Sequence, residues 1–354
     1  GRPHRNHTHT MKLLFIGGTG ILSSASTRLA LARGFKVTHL NRGQRVATVE
    51  GVEHLTADIN DPAAAAAAIG TRRWDVVVDF IAFTPEQMQQ RIALFKGRCD
   101  QFIFISSASA YARPVAHYLI TESTPLNNPY WSYSRDKIAC EQLLMDAWRA
   151  GDLPVTIIRP SYTYCEWVVP LAFTTHHAPY TVIDRLRRGA PVIIPGDGSS
   201  LWTMTHSSDF AKGLVGLLGH RQALGQAFHI TSDEVLCWNQ IFEQLADAAG
   251  VREPKFVHIA SDFLAACWPE ETGGLHGDKS SSVVLDNSKI KRYVPDYCAT
   301  VRFADGIRQS VAWYDADPSR RVIDAERSRQ WDVVIEAYGK GLAGAQAALS
   351  VATR

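Results

Sequence analysis

A glycine-rich turn close to the N-terminus constrains the fold of this chain more than any other feature. An apolar stretch of strand length, residues 12–16, leads directly into the turn GGTGILS at residues 17–23, and a helical pattern then continues to about Arg33. Gly17 allows a tight turn, and Gly20 lets backbone N–H groups approach a pyrophosphate at a helix N-terminus. The turn therefore predicts a parallel α/β unit that binds a dinucleotide, with contacts at Gly17, Thr19, Gly20, Ile21 and Leu22.

Strand-like and helix-like segments alternate through the first half of the chain. Apolar stretches of strand length are separated by helical segments, and they occupy residues 36–40, 52–56, 75–81, 101–105 and 155–159. This alternation is typical of a parallel sheet that is covered by helices. We therefore expect an α/β fold with a Rossmann-type, doubly wound parallel sheet and a smaller C-terminal substrate-binding part.

The same pattern predicts the domain organisation. Residues 1–10 are polar and lack the apolar core of a signal peptide, which indicates a tag or a disordered leader. We expect a dinucleotide-binding Rossmann domain at 11–160, to which residues 207–232 return. The substrate-binding part is expected at 161–206 and 233–317, and a helical tail at 318–354.

The composition is that of an ordinary soluble globular protein. The chain has 354 residues, of which 46% are hydrophobic and 20% charged, and its formal net charge of +2 gives no general attraction to nucleic acid or to a membrane surface. No apolar run reaches the roughly 18 to 20 residues that span a bilayer. The six cysteines form no C-x-x-C pair, and His176-His177 lacks a third metal ligand at a convincing spacing. We expect a cytoplasmic protein with reduced thiols and no metal.

The end of the second predicted strand bears on cofactor preference. An acidic residue there would favour NAD by binding the 2′-hydroxyl of the adenosine ribose, but this chain has Asn41-Arg42-Gly43, with Arg45 close behind. A guanidinium group suits a 2′-phosphate, which favours NADP, although an ordinary surface arginine with NAD as the cofactor remains the alternative. Further cofactor contacts are expected at the other strand ends, namely Asp58, Ile59, Phe80, Ile81, Ala82, Ser106 and Pro160.

A serine, a tyrosine and a lysine form a candidate catalytic set. Tyr133 and Lys137 are four residues apart in a helical segment, so their side chains share one helical face, and Ser107 follows the fifth predicted strand. Free tyrosine has a pKa of about 10, and lowering it to about 7 requires about 4 kcal/mol of preference for the phenolate. A nearby ammonium group and an oxidised nicotinamide ring supply such a preference. We expect Tyr133 to exchange the proton and Ser107 to stabilise the substrate oxygen. Tyr133 and Lys137 are also expected to contact the cofactor.

Together these motifs resemble the extended or atypical short-chain dehydrogenase/reductases, often labelled NAD-dependent epimerase/dehydratase. The resemblance covers roughly residues 11–317 and rests on IGGTGILS, FIFISSASAY, YSRDK, IIRP and GDGSSLWTMTHSSDFA. It implies that Ser107, Tyr133 and Lys137 are the catalytic triad. It also implies a homodimer paired through the helical segment at residues 129–150.

Two departures from the family pattern concern the substrate. Tyr162 stands where sugar-nucleotide epimerases usually carry a diphosphate-binding Asn, and Trp202 stands where they carry an Arg. The chain also lacks the Thr-Asp-Glu run of the sugar 4,6-dehydratases, so that activity is not expected. Trp202 is expected either to present an apolar wall to the substrate or to be part of the core, and Asp209 is expected to cap a helix. The candidate substrate contacts are Ser109, Tyr162, His176 and Trp202.

Two functions remain open from the sequence. The first is an NAD(P)-dependent oxidoreductase or epimerase that acts on a secondary alcohol or ketone of a sugar-like small molecule. The alternative is a non-catalytic dinucleotide-binding regulator or an RNA-binding relative. The intact Ser–Tyr–Lys set and the near-neutral charge favour the enzyme, with no nucleic-acid or membrane partner.

Overall fold

The computed structural model describes residues 10–18, 20–43, 49–175 and 177–352. The predicted leader up to residue 9, and the candidate residues Thr19, Arg45 and His176, lie outside this part of the chain. The strands are β1 Lys12–Ile16, β2 Lys36–Asn41, β3 Val52–Thr56, β4 Trp74–Asp79, β5 Cys99–Ile105, β6 Leu119–Ile120, β7 Val155–Ile158, β8 Tyr162–Tyr164, β9 Val192–Pro195, β10 Leu201–His206, β11 Gln226–Phe228, β12 Val235–Cys237, β13 Phe256–Ile259 and β14 Val284–Leu285.

Helices follow most of these strands. They are α1 Ile21–Ala32, α2 Pro62–Ile69, α3 Pro85–Phe95, α4 Ser132–Arg149, α5 Tyr180–Arg187, α6 Ser207–Leu217, α7 Trp238–Ala248, α8 Ser261–Cys267, α9 Thr272–Gly274, α10 Ser288–Tyr293, α11 Phe303–Asp315 and α12 Ala325–Ala352. Within the described residues, no helix combines the length and the apolar character needed to cross a membrane.

A seven-stranded parallel sheet confirms the predicted α/β fold class. Its order is β11–β7–β5–β4–β1–β2–β3, and Phe15 in β1 pairs with His39 in β2 and Val78 in β4. The chain runs outward from β1 in one direction to β3 and then resumes on the other side at β4. In doubly wound sheets, a ligand binds where the strand order reverses, outside the carboxyl ends of the strands. We therefore expect the cofactor to bind at the ends of β1, β2 and β4.

Both faces of this sheet are buried, which explains its continuous apolar strands. Leu13 and Phe15 belong to one hydrophobic cluster, whereas Leu14 and Ile16 belong to a second. Alternate residues of a strand point to opposite faces, so β1 contributes to two separate cores. Helix α6 packs in the first cluster through Phe210.

Local signals determine where the early helices begin. Asp61 caps α2, since its carboxylate accepts a hydrogen bond from the backbone N–H of Ala64 at 3.2 Å, and Pro62 occupies the first turn. At α3, Thr84 and Gln87 form a reciprocal capping box. This second cap fixes the start of α3, with Thr84 five residues after the end of β4.

The described chain forms two compact units. The first contains the residues up to 163, together with 203–233 and 284–300, and it includes the seven-stranded sheet. The second contains residues 164–202, 234–283 and 301 onwards. In the second unit, β9 pairs in parallel with β13.

One expectation needs correction. Helix α6 is capped by His206, not by Asp209, because the His206 ring accepts a hydrogen bond from the N–H of Ser208 at 3.2 Å. Asp209 is fully buried in the first turn, where it pairs with Lys212 at 2.8 Å and accepts the N–H of Thr300. Asp209 therefore connects the helix to a distant loop.

Candidate active site

The glycine turn connects β1 to α1 with almost no room for side chains. Gly17 has a φ of +82°, and a Cβ atom there would run into the side chain of Ile81. A Cβ on Gly18 would lie 2.5 Å from the buried ring of His39. Ser23 holds the turn, because its hydroxyl accepts the N–H of Gly20 at 2.8 Å and donates to the carbonyl of Gly17 at 2.9 Å. The first turn of α1 contains no acidic residue, so the positive end of this helix suits a pyrophosphate.

The adenosine side of the predicted cofactor site is formed by the ends of β2 and β3. Asn41 ends β2, and its side-chain nitrogen is buried without a hydrogen-bond partner among the described residues. The exposed Arg42 lies 3.9 Å from the carboxylate of Asp58, and Ile59 beside it is buried. An unpartnered amide donor and an exposed guanidinium group fit a ribose that carries hydroxyl or phosphate oxygens.

A buried ion pair that the sequence analysis missed shapes the segment after β4. The carboxylate of Asp79 accepts the N–H groups of Ile81 and Ala82 at 3.0 Å and the Nε of Arg91 at 2.8 Å. Both side chains of the ion pair are completely buried. Arg91 also donates to the side chain of Asn60 at 2.9 Å, so it connects the loops after β3 and β4. The sequence signal for this ion pair was Asp79, an acidic residue at the end of the apolar run of β4.

Lys137 lies at the centre of the candidate site. The residue is only 2% exposed, and its ammonium group donates to the carbonyls of Ala82 and Ile105, each at 2.9 Å. Burial is the main reason that the pKa of Lys137 falls to about 8, and the charge of Asp79 opposes this effect. The ammonium lies 5.7 Å from the centre of the Tyr133 ring.

Aromatic rings surround Tyr133. Its ring lies 4.9 Å from that of Trp131 and 6.4 Å from that of Phe83, measured between centroids. Phe83 follows the Asp79 segment and is 44% exposed, and its ring centre is 4.7 Å from the Lys137 ammonium. These neighbours were not predicted, because Phe83 and Trp131 belong to no recognised motif.

A chain of hydrogen-bonded hydroxyls links Ser107, Ser109 and Ser134. The hydroxyl of Ser107 lies 2.7 Å from that of Ser109, which lies 2.7 Å from that of Ser134 in α4. Asn128 donates to the carbonyl of Ser109 at 2.7 Å and holds the segment in place. Ser109 is buried, so its hydroxyl connects Ser107 to the residue that follows Tyr133 in the helix.

Ser106 and Pro160 also lie at strand ends, as expected. The hydroxyl of Ser106, however, donates to the buried carboxylate of Glu141 at 2.6 Å, and Glu141 is paired with Arg159. The carbonyl of Pro160 accepts the N–H of Ala108 at 3.0 Å. The Ser106 side chain is thus committed to an internal network.

The chain matches a known family over most of its length. The sequence model of the NAD dependent epimerase/dehydratase family covers residues 13–231, which is more than half of the chain. The chain belongs to this family. This result confirms the resemblance drawn from the glycine turn and the Tyr133–Lys137 spacing, and it makes the protein a member of a family of dinucleotide-dependent enzymes.

The chain is also similar to individual proteins, two in sequence and one in structure. A 2′-dehydrokanamycin reductase of Streptomyces kanamyceticus is 26% identical over 296 residues, covering 81% of this chain and 80% of the relative. A chloroplast stem-loop binding protein of 41 kDa from Arabidopsis thaliana is 24% identical over 263 residues, with 70% and 65% coverage. A dTDP-glucose 4,6-dehydratase of Bacillus anthracis, solved with NAD, has a TM-score of 0.70 at 17% identity, covering 88% of this chain and 98% of its own. The structural likeness supports the fold.

Besides Ser109, the structure describes two more of the predicted substrate residues, Tyr162 and Trp202. Tyr162 begins β8 and is half-buried. Trp202, in the second unit, is buried and stacks on Trp238 with 5.6 Å between ring centres. Of the two roles considered for Trp202, this packing favours a place in the core.

Proposed function

We propose that this chain is an NAD(P)-dependent reductase or epimerase that acts on a secondary alcohol or ketone of a sugar-like small molecule. The arrangement of Lys137 carries the proposal. A buried ammonium group is costly unless it is held by hydrogen bonds, and here two backbone carbonyls hold it close to the Tyr133 ring. A charge kept in this position favours the phenolate form of the tyrosine.

Each residue of the set then has a distinct role. Tyr133 takes the proton from a substrate alcohol through its phenolic oxygen, or returns it to a ketone in the reverse direction. Lys137 stabilises the phenolate through its fixed positive charge. Ser107 donates a hydrogen bond to the substrate oxygen, while its own hydroxyl is oriented by Ser109. The nicotinamide ring, when bound, supplies the site that accepts or donates a hydride.

The cofactor is bound by the glycine turn and by the ends of β2, β3 and β4. Asn41 and Arg42 support NADP over NAD, because their donors are available to a 2′-phosphate. We further propose a homodimer in the cytoplasm, paired through α4. All six cysteines are free thiols, which supports a reducing compartment.

The substrate proposal favours a sugar that is not attached to a nucleotide. The relative from S. kanamyceticus is named for reduction of 2′-dehydrokanamycin. The position of Trp202, where a diphosphate-binding Arg stands in sugar-nucleotide epimerases, is filled by a buried indole packed on Trp238. A ketone on a glycoside is therefore the first substrate class to test.

The decisive experiment measures dinucleotide oxidation by absorbance, with NADPH or NADH and with 2′-dehydrokanamycin as the probe ketone. We expect NADPH oxidation by the wild-type chain and a loss of about 100-fold or more in Tyr133→Phe. Tyr130→Phe is the matched control, since Tyr130 is exposed three residues earlier and should leave the rate unchanged. Equal rates for the two variants would exclude Tyr133 as the proton carrier.

A second function is favoured by the similarity to the stem-loop binding protein of A. thaliana. If the chain binds RNA without chemistry, a stem-loop RNA should bind at physiological salt, with an affinity that Tyr133→Phe leaves unchanged. The net charge of +2 offers little attraction to phosphate backbones, so we expect this binding to be weak.

A further inference from the structure

A cavity of about 570 Å³ lies in the first unit, lined by residues outside the Ser–Tyr–Lys set. Its walls come from the loop after β6, from α4, from β7 and β11, and from α10. Three cationic side chains and two carboxylates line it, and they are Glu122, Glu141, Arg159, Lys289 and Arg292. The cavity therefore carries one positive charge in excess.

The excess positive charge comes from Lys289 and Arg292. Within the described chain, neither Lys289 nor Arg292 lies within 4 Å of a carboxylate oxygen. The ammonium group of Lys289 donates to the neutral side chain of Gln226 at 2.8 Å and lies 4.9 Å from the centre of the Phe228 ring. Burial is the main reason that its pKa is lowered, and the nearby cations Arg159 and Arg292 lower it further, against the opposing charge of Glu122. These observations describe a positive potential that the carboxylates of Glu122 and Asp286 offset only in part.

The other charged groups are already satisfied. Arg159 and Glu141 form a buried ion pair at 2.6 Å, and Arg159 also donates to the hydroxyl of Tyr111 and to the carbonyl of Glu122. The carboxylate of Glu122 accepts the backbone N–H of His229 at 3.2 Å. These contacts fix the floor of the cavity and leave Lys289 and Arg292 as the groups available to a ligand.

We propose that this cavity is a second binding site, which takes a small molecule carrying a single carboxylate or phosphate group. The oxyanion binds between Lys289 and Arg292, where it neutralises the excess charge. The uncharged remainder of the molecule lies against Met145 and Tyr293, which supply apolar and aromatic surface in the same cavity. The site is separate from the dinucleotide contacts at the ends of β1, β2 and β4.

The test is isothermal titration calorimetry of the full chain with inorganic phosphate, and separately with acetate as the carboxylate probe. We expect one equivalent of at least one probe to bind, with a Kd of about 1 mM, which corresponds to about 4 kcal/mol. The double variant Lys289→Met/Arg292→Met should weaken binding about tenfold or more, which corresponds to about 1.4 kcal/mol. The preferred probe distinguishes a phosphate ligand from a carboxylate ligand.

Lys291→Met is the matched control. Lys291 is in the same short helix but pairs with Asp233 at 2.6 Å and does not line the cavity. Equal losses in the control and the double variant would overturn the proposal, as would the absence of binding for both probes. If the double variant fails to fold, Lys289→Arg should retain binding while Lys289→Met alone loses it.

The dinucleotide site also attracts phosphate, so the titration is repeated with saturating NADPH. Persistence of phosphate binding places the anion outside that site, and complete competition would overturn the proposal. If NADPH itself fails to bind, the proposed enzymatic function fails, whereas the anion site is still judged by the Lys289 and Arg292 variants.

Discussion

The buried ion pair between Asp79 and Arg91 should be among the most sensitive points of this protein. Both side chains are 0% exposed, and their oxygen and nitrogen atoms are 2.8 Å apart. Removing one partner of such a pair leaves an uncompensated buried charge, which costs about 3–5 kcal/mol. We therefore expect Arg91→Met to lower the free energy of unfolding by about that amount, measured by urea denaturation.

An exposed ion pair provides the comparison. Arg73 and Asp100 lie at 2.6 Å, closer than the buried pair, but their side chains are 54% and 61% exposed. Water and salt screen such a pair, so Arg73→Met should cost about 0–1 kcal/mol. If the two variants lose the same stability, burial does not determine the strength of these pairs and the reasoning is refuted.

The same ion pair should affect activity, because it acts through the segment that holds Lys137. Asp79 accepts the N–H groups of Ile81 and Ala82, and the carbonyl of Ala82 accepts Lys137. Asp79→Asn keeps an oxygen acceptor but removes the charge. We expect a lower rate of dinucleotide oxidation in this variant, measured without denaturant at a temperature where circular dichroism shows that it remains folded.

Three further predictions follow from the site. The Lys137 ammonium loses its proton near a pKa of about 8 in the folded chain but near 10.5 in the unfolded chain, so the wild-type unfolding free energy should rise by about 1.4 kcal/mol per pH unit above pH 8. Lys137→Met should lack this rise, and urea titrations across this pH range test it. Ser109→Ala should cost about 1–3 kcal/mol of stability and reduce turnover, since it interrupts the hydroxyl chain; an unchanged rate would contradict this. Gly18→Ala should weaken NADPH binding in a fluorescence titration, because the new Cβ meets the His39 ring, whereas Gly274→Ala, with open space around it, should not.

Much of the fold was predictable because its signals are local. The glycine turn and the alternation of apolar strands with helices depend on neighbours within a few residues, and the structure confirms the parallel sheet they predict. The four-residue spacing of Tyr133 and Lys137 is equally local, since helix geometry alone puts both on one face of α4. The family assignment followed from these short motifs.

The tertiary structure decided which polar groups are paired. Arg91 meets Asp79 from a separate helix, and Ser106 meets Glu141 across 35 residues of chain. The cap of α6 was assigned to the wrong residue, because the burial of Asp209 depends on Thr300, which is 91 residues away. A sequence pattern reports which face of an element is apolar, but the partner of a buried charge is set by which elements pack together. For this reason the carbonyls that hold Lys137, and the ion pair that shapes their segment, appear only in the tertiary structure.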